Sequence, residues 1–184
     1  RRIAERKENL PEIPGKGTPQ YLAVRYSHPL WLVEECVAAH GYDFTEGFLS
    51  ANNAQAPVFA HENPLRPGKG LTGIPTLLPD CVQLESAAGL AETEAFQQGR
   101  FYIQDMAAHL AAMAGDAQPG MTVLDACAAP GGKSVASAMA MRNRGRIISC
   151  DIHQKKLRLI KENAKRLGIS IIETREMDAR KPDE

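Results

Sequence analysis

Apolar positions in the last third of the chain fall into two alternating patterns. Met121-Thr122-Val123-Leu124-Asp125 and Arg146-Ile147-Ile148-Ser149-Cys150 contain short apolar runs of the kind that buried parallel strands carry, and Ile169 to Thr174 is a third. Between the second and third runs, Gln154 to Leu167 places Leu157, Ile160, Ala164 and Leu167 on one helical stripe, with Gly168 as its stop. Between the first and second, Val135 to Met141 predicts a helix behind a loop of small residues. Three such β-α steps in a row predict an α/β domain built on a doubly wound parallel sheet.

Upstream the pattern is mixed. Leu30, Val33 and Val37 share a helical face in a segment where Ser27 can cap, Pro29 suits the first turn and Gly41 can end the helix. A second helix is predicted around Thr45 to Ala54 and a strand over Ala56 to His61, followed by a turn-rich stretch with Pro64, Pro67, Gly68, Gly70 and Gly73. Arg100 to Asp105 reads as a strand that hands over to an alanine-rich helix, Met106 to Met113. The predicted division is therefore a charged, then Pro- and Gly-rich linker or tail of an upstream domain over 1–20, a small α+β module over 21–105, and the first part of the α/β domain over 106–184.

Composition adds little but excludes much. Among 184 residues, 22 Lys+Arg balance 22 Asp+Glu, so a uniformly basic nucleic-acid-coating protein is not indicated, although a local basic face remains compatible with a neutral total. No apolar run is long enough to span a bilayer, and the opening Arg1-Arg2-Ile3-Ala4-Glu5-Arg6-Lys7 has neither an initiating Met nor a signal-peptide core. A cytoplasmic piece of a longer protein is the expectation. Cys36, Cys81, Cys127 and Cys150 form no C-x-x-C pair and have no His at ligand spacing, so neither a disulfide framework nor a metal site is signalled.

The chemistry concentrates after the first apolar run. Ala126-Cys127-Ala128-Ala129-Pro130-Gly131-Gly132-Lys133-Ser134 joins strand to helix through small residues that let a ligand approach the backbone. The free N–H groups and dipole of the helix start favour an electronegative partner such as a methionine carboxylate. Asp151 follows the second strand about twenty residues beyond the glycines, where an acid grips ribose hydroxyls. Asp178 follows the third strand, within reach of the same crevice. A P-loop is disfavoured, since Cys127 stands where its first glycine belongs and Pro130 removes a backbone donor; a G-x-G-x-x-G site fails because the glycines are adjacent.

These residues carry a resemblance. Asp125 to Ser134 is similar to the cofactor motif of the Sun/RsmB family of RNA (cytosine-5)-methyltransferases, and Gly99-Arg100-Phe101-Tyr102-Ile103-Gln104-Asp105, Lys165-Arg166-Leu167-Gly168 and Ser27-His28-Pro29-Leu30-Trp31 also resemble its patterns. The resemblance implies a small RNA-recognition-like module ahead of a Rossmann-like methyltransferase domain, a helical NusB-like domain upstream, and RNA, of the small ribosomal subunit, as partner. It implies S-adenosyl-L-methionine as cofactor, with Cys127, Ala128, Ala129, Pro130, Gly131, Gly132 and Lys133 around its methionine part, Asp151 at the ribose and Asp178 near the adenine amino group. It further implies a cysteine thiolate that adds to C6 of cytosine so that C5 can take the methyl group, with both family cysteines beyond Glu184.

Blander readings stand beside these. Cys127 is expected to pack within the cofactor loop rather than act as a nucleophile. Asp151 could cap the helix after it, and Asp178 could be a solvated turn residue. Arg142, Arg144 and Arg146 with Lys155, Lys156 and Arg158 could meet RNA phosphates or simply be solvated. His28, His40, His61, His109 and His153 show no catalytic pairing in sequence and are assigned structural or surface roles, while Trp31 and Phe101-Tyr102 read as core or, in a module that reads RNA, as exposed base-stacking aromatics. The alternatives to an RNA methyltransferase are a catalytically silent cofactor- and RNA-binding piece and a nucleotide triphosphate-binding protein.

Overall fold

The computed structural model describes residues 12–68 and 71–181. The charged opening Arg1–Lys7, Gly70 of the turn-rich stretch and residues 182–184 lie outside the described residues. The chain divides into two compact units, 1–56 and 57–184.

Among the described residues, the first unit holds three helices, α1 (Pro19–Tyr26), α2 (Leu30–His40) and α3 (Tyr42–Asn52). Helix α1 replaces the end of the expected linker. Thr18 Oγ1 accepts the Tyr21 N–H at 3.3 Å, and Pro19 sits in the first turn, where its missing N–H costs nothing. Ser27 does not cap α2; it ends α1 in a left-handed conformation, and Pro29 stands before the first residue of α2. Leu22, Val33 and Leu49, all fully buried, form the core, with Tyr21, Val37 and Tyr42 packed against them. Trp31, which the sequence left open between core and exposed aromatic, is 67 % exposed.

Among the described residues, the second unit contains two sheets. Strands β1 (Val58–Glu62), β2 (Ile74–Pro75), β3 (Cys81–Leu84) and β4 (Phe101–Ile103) form an antiparallel sheet in the order β2-β3-β1-β4. A 3-10 turn (Leu90–Glu92) and the short helix α4 (Glu94–Gln97) lead into β4. Helix α5 (Met106–Met113) then begins where expected, because Asp105 Oδ1 accepts the Ala107 and Ala108 N–H groups at 2.9 and 3.1 Å. The parallel sheet follows as β5 (Thr122–Asp125), α6 (Gly132–Ala140), β6 (Arg146–Asp151), α7 (Gln154–Leu167) and β7 (Ile172–Glu176), with strand order β5-β6-β7. All of its described strands wind in one direction; the reversal of a doubly wound sheet is not among the described residues.

Strand β4 serves both layers, because successive side chains of a strand point to opposite faces. Phe101 enters the core of the antiparallel sheet with Ala60 and Leu84, and Tyr102 joins Val135, Ala138, Met141, Ile147 and Leu167 under the parallel sheet's helices. Two segments far apart in sequence meet beside it. The Arg166 guanidinium donates to the carbonyls of Phe96 and Phe101 at 2.8 and 3.1 Å and lies 3.9 Å from the Phe96 ring. Buried Asn63 donates to the carbonyls of Gly99 and Leu167 at 2.7 and 2.9 Å. The expected division at 105 thus falls between the two sheets of a single compact unit. Among the described residues, no helix is long and apolar enough to cross a membrane.

Candidate cofactor-binding site

The carboxyl ends of β5, β6 and β7 lie side by side, and the residues just past them line a cleft of about 310 Å³: Ala126 and Cys127 after β5, Asp151 and Ile152 at β6, and Met177 to Arg180 after β7. The cleft therefore sits where parallel α/β sheets receive ligands, outside the strand ends.

The glycine loop is tied down from beneath. The Ala128 N–H donates to the Cys150 carbonyl at 2.7 Å, and Gly131 N–H to the Ala128 carbonyl at 2.6 Å. Gly131 has φ +107°, a conformation that favours glycine, and a Cβ there would lie 3.2 Å from Ile160 Cγ1, which would have to shift by a few tenths of an ångström. Helix α6 starts at Gly132, three residues earlier than the apolar pattern indicated, and its first turn has no side-chain cap. Those N–H groups remain available to an anion. Buried Ser134 secures the same corner, its hydroxyl donating to Asp125 Oδ2 at 2.7 Å and lying 2.7 Å from Ser149 Oγ. This corner link was not read from the sequence, although Ser134 closes the loop motif.

Asp151 links loop and cleft. Its Oδ1 accepts the His153 N–H at 2.9 Å and its Oδ2 the Ala129 N–H at 3.3 Å. The His153 N–H, more than the opposing partial burial, holds its carboxyl below the usual range, with Ala129 adding to it. Oxygen lone pairs remain for further donors. The capping alternative does not hold, since His153 is the N-cap of α7 and no side chain caps it; Asp151 instead braces the turn that precedes the helix.

Asp178 lies in the cleft, but its carboxylate is engaged by Arg180: Nε is 3.0 Å from Oδ1 and 3.2 Å from Oδ2, Nη2 is 2.7 Å from Oδ2, and the backbone N–H adds a bond at 3.0 Å to Oδ1. These contacts, the guanidinium bond first, pull its pKa to about 2. A depressed pKa contributes stability above the unfolded value that disappears as pH falls toward 2. Carboxyl NMR should find Asp178 titrating near that value in the native chain, and Arg180→Ala should return it toward the ordinary carboxylate value of 3.8. An unmoved titration would mean that the pair does not form in solution.

The other expected residues divide. Cys127 is exposed and lines the cleft, rather than packing within the loop; Ala128 is buried beneath it. Pro130, Gly131, Gly132 and Lys133 do not line the cleft but shape the entry to α6, with Lys133 exposed in its first turn. Sequence reading missed Ile152, 48 % exposed on the cleft, and Arg180. An apolar residue directly after the strand-terminal acid was the available signal for Ile152. Of the basic residues, Arg146 pairs with Glu173 at 2.7 Å and Arg158 with Glu162 at 3.4 Å, both at the surface.

Fold and cleft together define an α/β protein of Rossmann-like fold with a ligand cleft at the carboxyl ends of its parallel strands. Residues 112–184 match the family model 16S rRNA methyltransferase RsmB/F. The chain is 37% identical over 190 residues to the probable ribosomal RNA small subunit methyltransferase B of Bacillus subtilis, an alignment covering 97% of this chain and 42% of that protein. It is 39% identical over 95 residues to a tRNA (cytosine(72)-C(5))-methyltransferase of Pyrococcus horikoshii, covering 51% of this chain and 24% of that one. A solved methyltransferase homolog from the same organism shares the fold with TM-score 0.73 at 23% identity, over 87% of this chain and 56% of that chain. The chain is thus similar to the RsmB/F methyltransferases, over residues 112–184 by the family model and over most of its length by the relatives. It spans about two fifths of the length of the ribosomal RNA relatives it matches, 42% and 40%.

Proposed function

We propose that this chain supplies the cofactor-binding part of an S-adenosyl-L-methionine-dependent methyltransferase that modifies C5 of cytosine in RNA, with ribosomal RNA of the small subunit as substrate. The observation that carries this reading is the convergence of Cys127, Asp151, Ile152 and Asp178 on one cleft at the carboxyl ends of three parallel strands. The residues present fit the cofactor. Asp151 offers acceptors to ribose hydroxyls, Ile152 an apolar surface to the adenine, and the uncapped start of α6 donors to the methionine carboxylate. Asp178, whose two carboxylate oxygens each take two Arg180 contacts, would receive the adenine amino group in place of part of that pairing. When bound, S-adenosyl-L-methionine supplies an electrophilic methyl group on a sulfonium.

Among the four cysteines none is assigned as the nucleophile. Burial pushes the Cys81 and Cys150 thiols up, away from the thiolate form, and Cys127 belongs to the cofactor loop. The covalent adduct to cytosine is assigned to residues of the longer protein. Residues 21–105 would then face the RNA, while 106–184 hold the cofactor.

Calorimetric titration of the folded chain with S-adenosylhomocysteine, with ATP and magnesium as the comparison, tests the reading. Saturable binding of the homocysteine nucleoside alone is expected. Binding of ATP in its place would overturn the methyltransferase assignment in favour of a nucleotide triphosphate site.

A further inference from the structure

The parts of the second unit that the cofactor reading leaves unused include a pair of buried histidines. His61 on β1 is fully buried and His109 on α5 is 6 % exposed; their rings stack with centroids 4.0 Å apart. Asp80, exposed just ahead of β3, joins them: each of the three side chains offers a ligand atom, all within 4.8 Å of one another. Asp80 is held there by its backbone carbonyl, which accepts the Glu62 N–H of β1 at 2.8 Å. None of the three lines the cofactor cleft.

Both rings are tied by one nitrogen only. His61 Nε2 lies 3.2 Å from the Gln104 carbonyl oxygen, and His109 Nδ1 lies 3.3 Å from Gln104 Oε1. The Gln104 backbone carbonyl accepts and never donates, so His61 Nε2, with Cys81 Sγ 3.6 Å away, carries the proton in a neutral imidazole and Nδ1 keeps a lone pair; His109 Nδ1 also lies 3.5 Å from the Tyr102 hydroxyl. His61 Nδ1 is buried with no hydrogen-bond partner at all. A buried acceptor without a partner is uncommon in folded proteins and calls for a reason. A backbone or amide oxygen that takes the second N–H of a ligating histidine is the recurrent support of metal sites, and Gln104 supplies both such oxygens here.

The geometry points to a divalent transition-metal site in which one ring nitrogen of His61, one of His109 and a carboxylate oxygen of Asp80 hold a zinc-like cation. Two imidazoles and one carboxylate suit a borderline cation such as zinc or cobalt rather than magnesium or calcium, which prefer all-oxygen sets. Water completes the coordination on the exposed Asp80 side. The cation would clamp β1, the approach to β3 and α5 together, and so acts as a structural element of the antiparallel layer.

The test uses the whole chain, stripped of metal with a chelator, titrated with zinc chloride by calorimetry and with cobalt chloride by visible absorption. One equivalent should bind saturably, raise the thermal unfolding midpoint and give a cobalt spectrum without a thiolate charge-transfer band. Asp80→Asn, at an exposed position, should keep the far-ultraviolet circular dichroism of the native chain and bind at least about tenfold more weakly; His109→Gln should behave alike. A folded native chain that binds neither metal overturns the proposal, as does Asp80→Asn binding as tightly as the native chain, or a thiolate band that transfers ligation to a cysteine.

Discussion

Gly99→Ala is expected to destabilise the second unit by about 3 kcal/mol, a large cost for one added methyl group. Gly99 has φ +69°, a left-handed conformation that costs a residue with a Cβ about 1 kcal/mol. Its Cβ would also overlap the Arg166 carbonyl and approach the Leu167 backbone at 3.1 Å. Neither neighbour can yield, because Asn63 bonds the carbonyls of Gly99 and Leu167 while Arg166 is anchored to those of Phe96 and Phe101. Overpacking against fixed backbone adds roughly 1–3 kcal/mol. Gly89 supplies the comparison: it has the same φ of +69°, but a Cβ there meets only the Glu92 carboxylate at 3.9 Å. Urea unfolding of both variants separates the backbone contribution from the packing one. Equal losses for the two would mean that the end of α7 does not press on the entry to β4 as described.

That contact also bears on what a sequence can reveal. Helix α7 was legible to the residue, because Leu157, Ile160, Ala164 and Leu167 repeat at helical spacing and Gly168 supplies the left-handed stop. Helix α1 was not, since Pro19 and Gly17 read as linker punctuation until Thr18 is found capping the turn that Pro19 opens. Strands β2 and β3 were hidden for a different reason. They are two and four residues long and are held by pairing with distant partners, which no local pattern records. The segments around Gly99 and Arg166 were each legible as family-like patterns, yet nothing in either announced that they touch. At the site, Asp151 and Asp178 were legible because strand ends in parallel sheets converge, whereas the Arg180 clamp on Asp178 depends on the turn after β7. The grouping of His61, Asp80 and His109 arises from sheet register and helix docking, so sequence spacing carried no ligand signal.

Asp151→Ala is expected to weaken S-adenosylhomocysteine binding about a hundredfold. A hydrogen bond to a charged group contributes roughly 1.5–3 kcal/mol, and each 1.4 kcal/mol is tenfold in affinity, so losing the acceptors for two ribose hydroxyls suffices. The same substitution also releases the Ala129 N–H that Asp151 Oδ2 holds, which would loosen the glycine loop. Asp151→Asn separates the contributions. Its amide oxygen can still take one backbone N–H, but its NH2 group meets a ribose hydroxyl with a donor in place of an acceptor. If Asp151 recognises ribose, Asp151→Asn keeps most of the native unfolding midpoint and loses most of the affinity. If the residue only braces the loop, Asp151→Asn binds nearly as the native chain does, while Asp151→Ala loses stability and affinity together. An Asp151→Ala chain that binds within twofold of the native one would remove the acid from the cofactor site and leave the cleft without its ribose anchor.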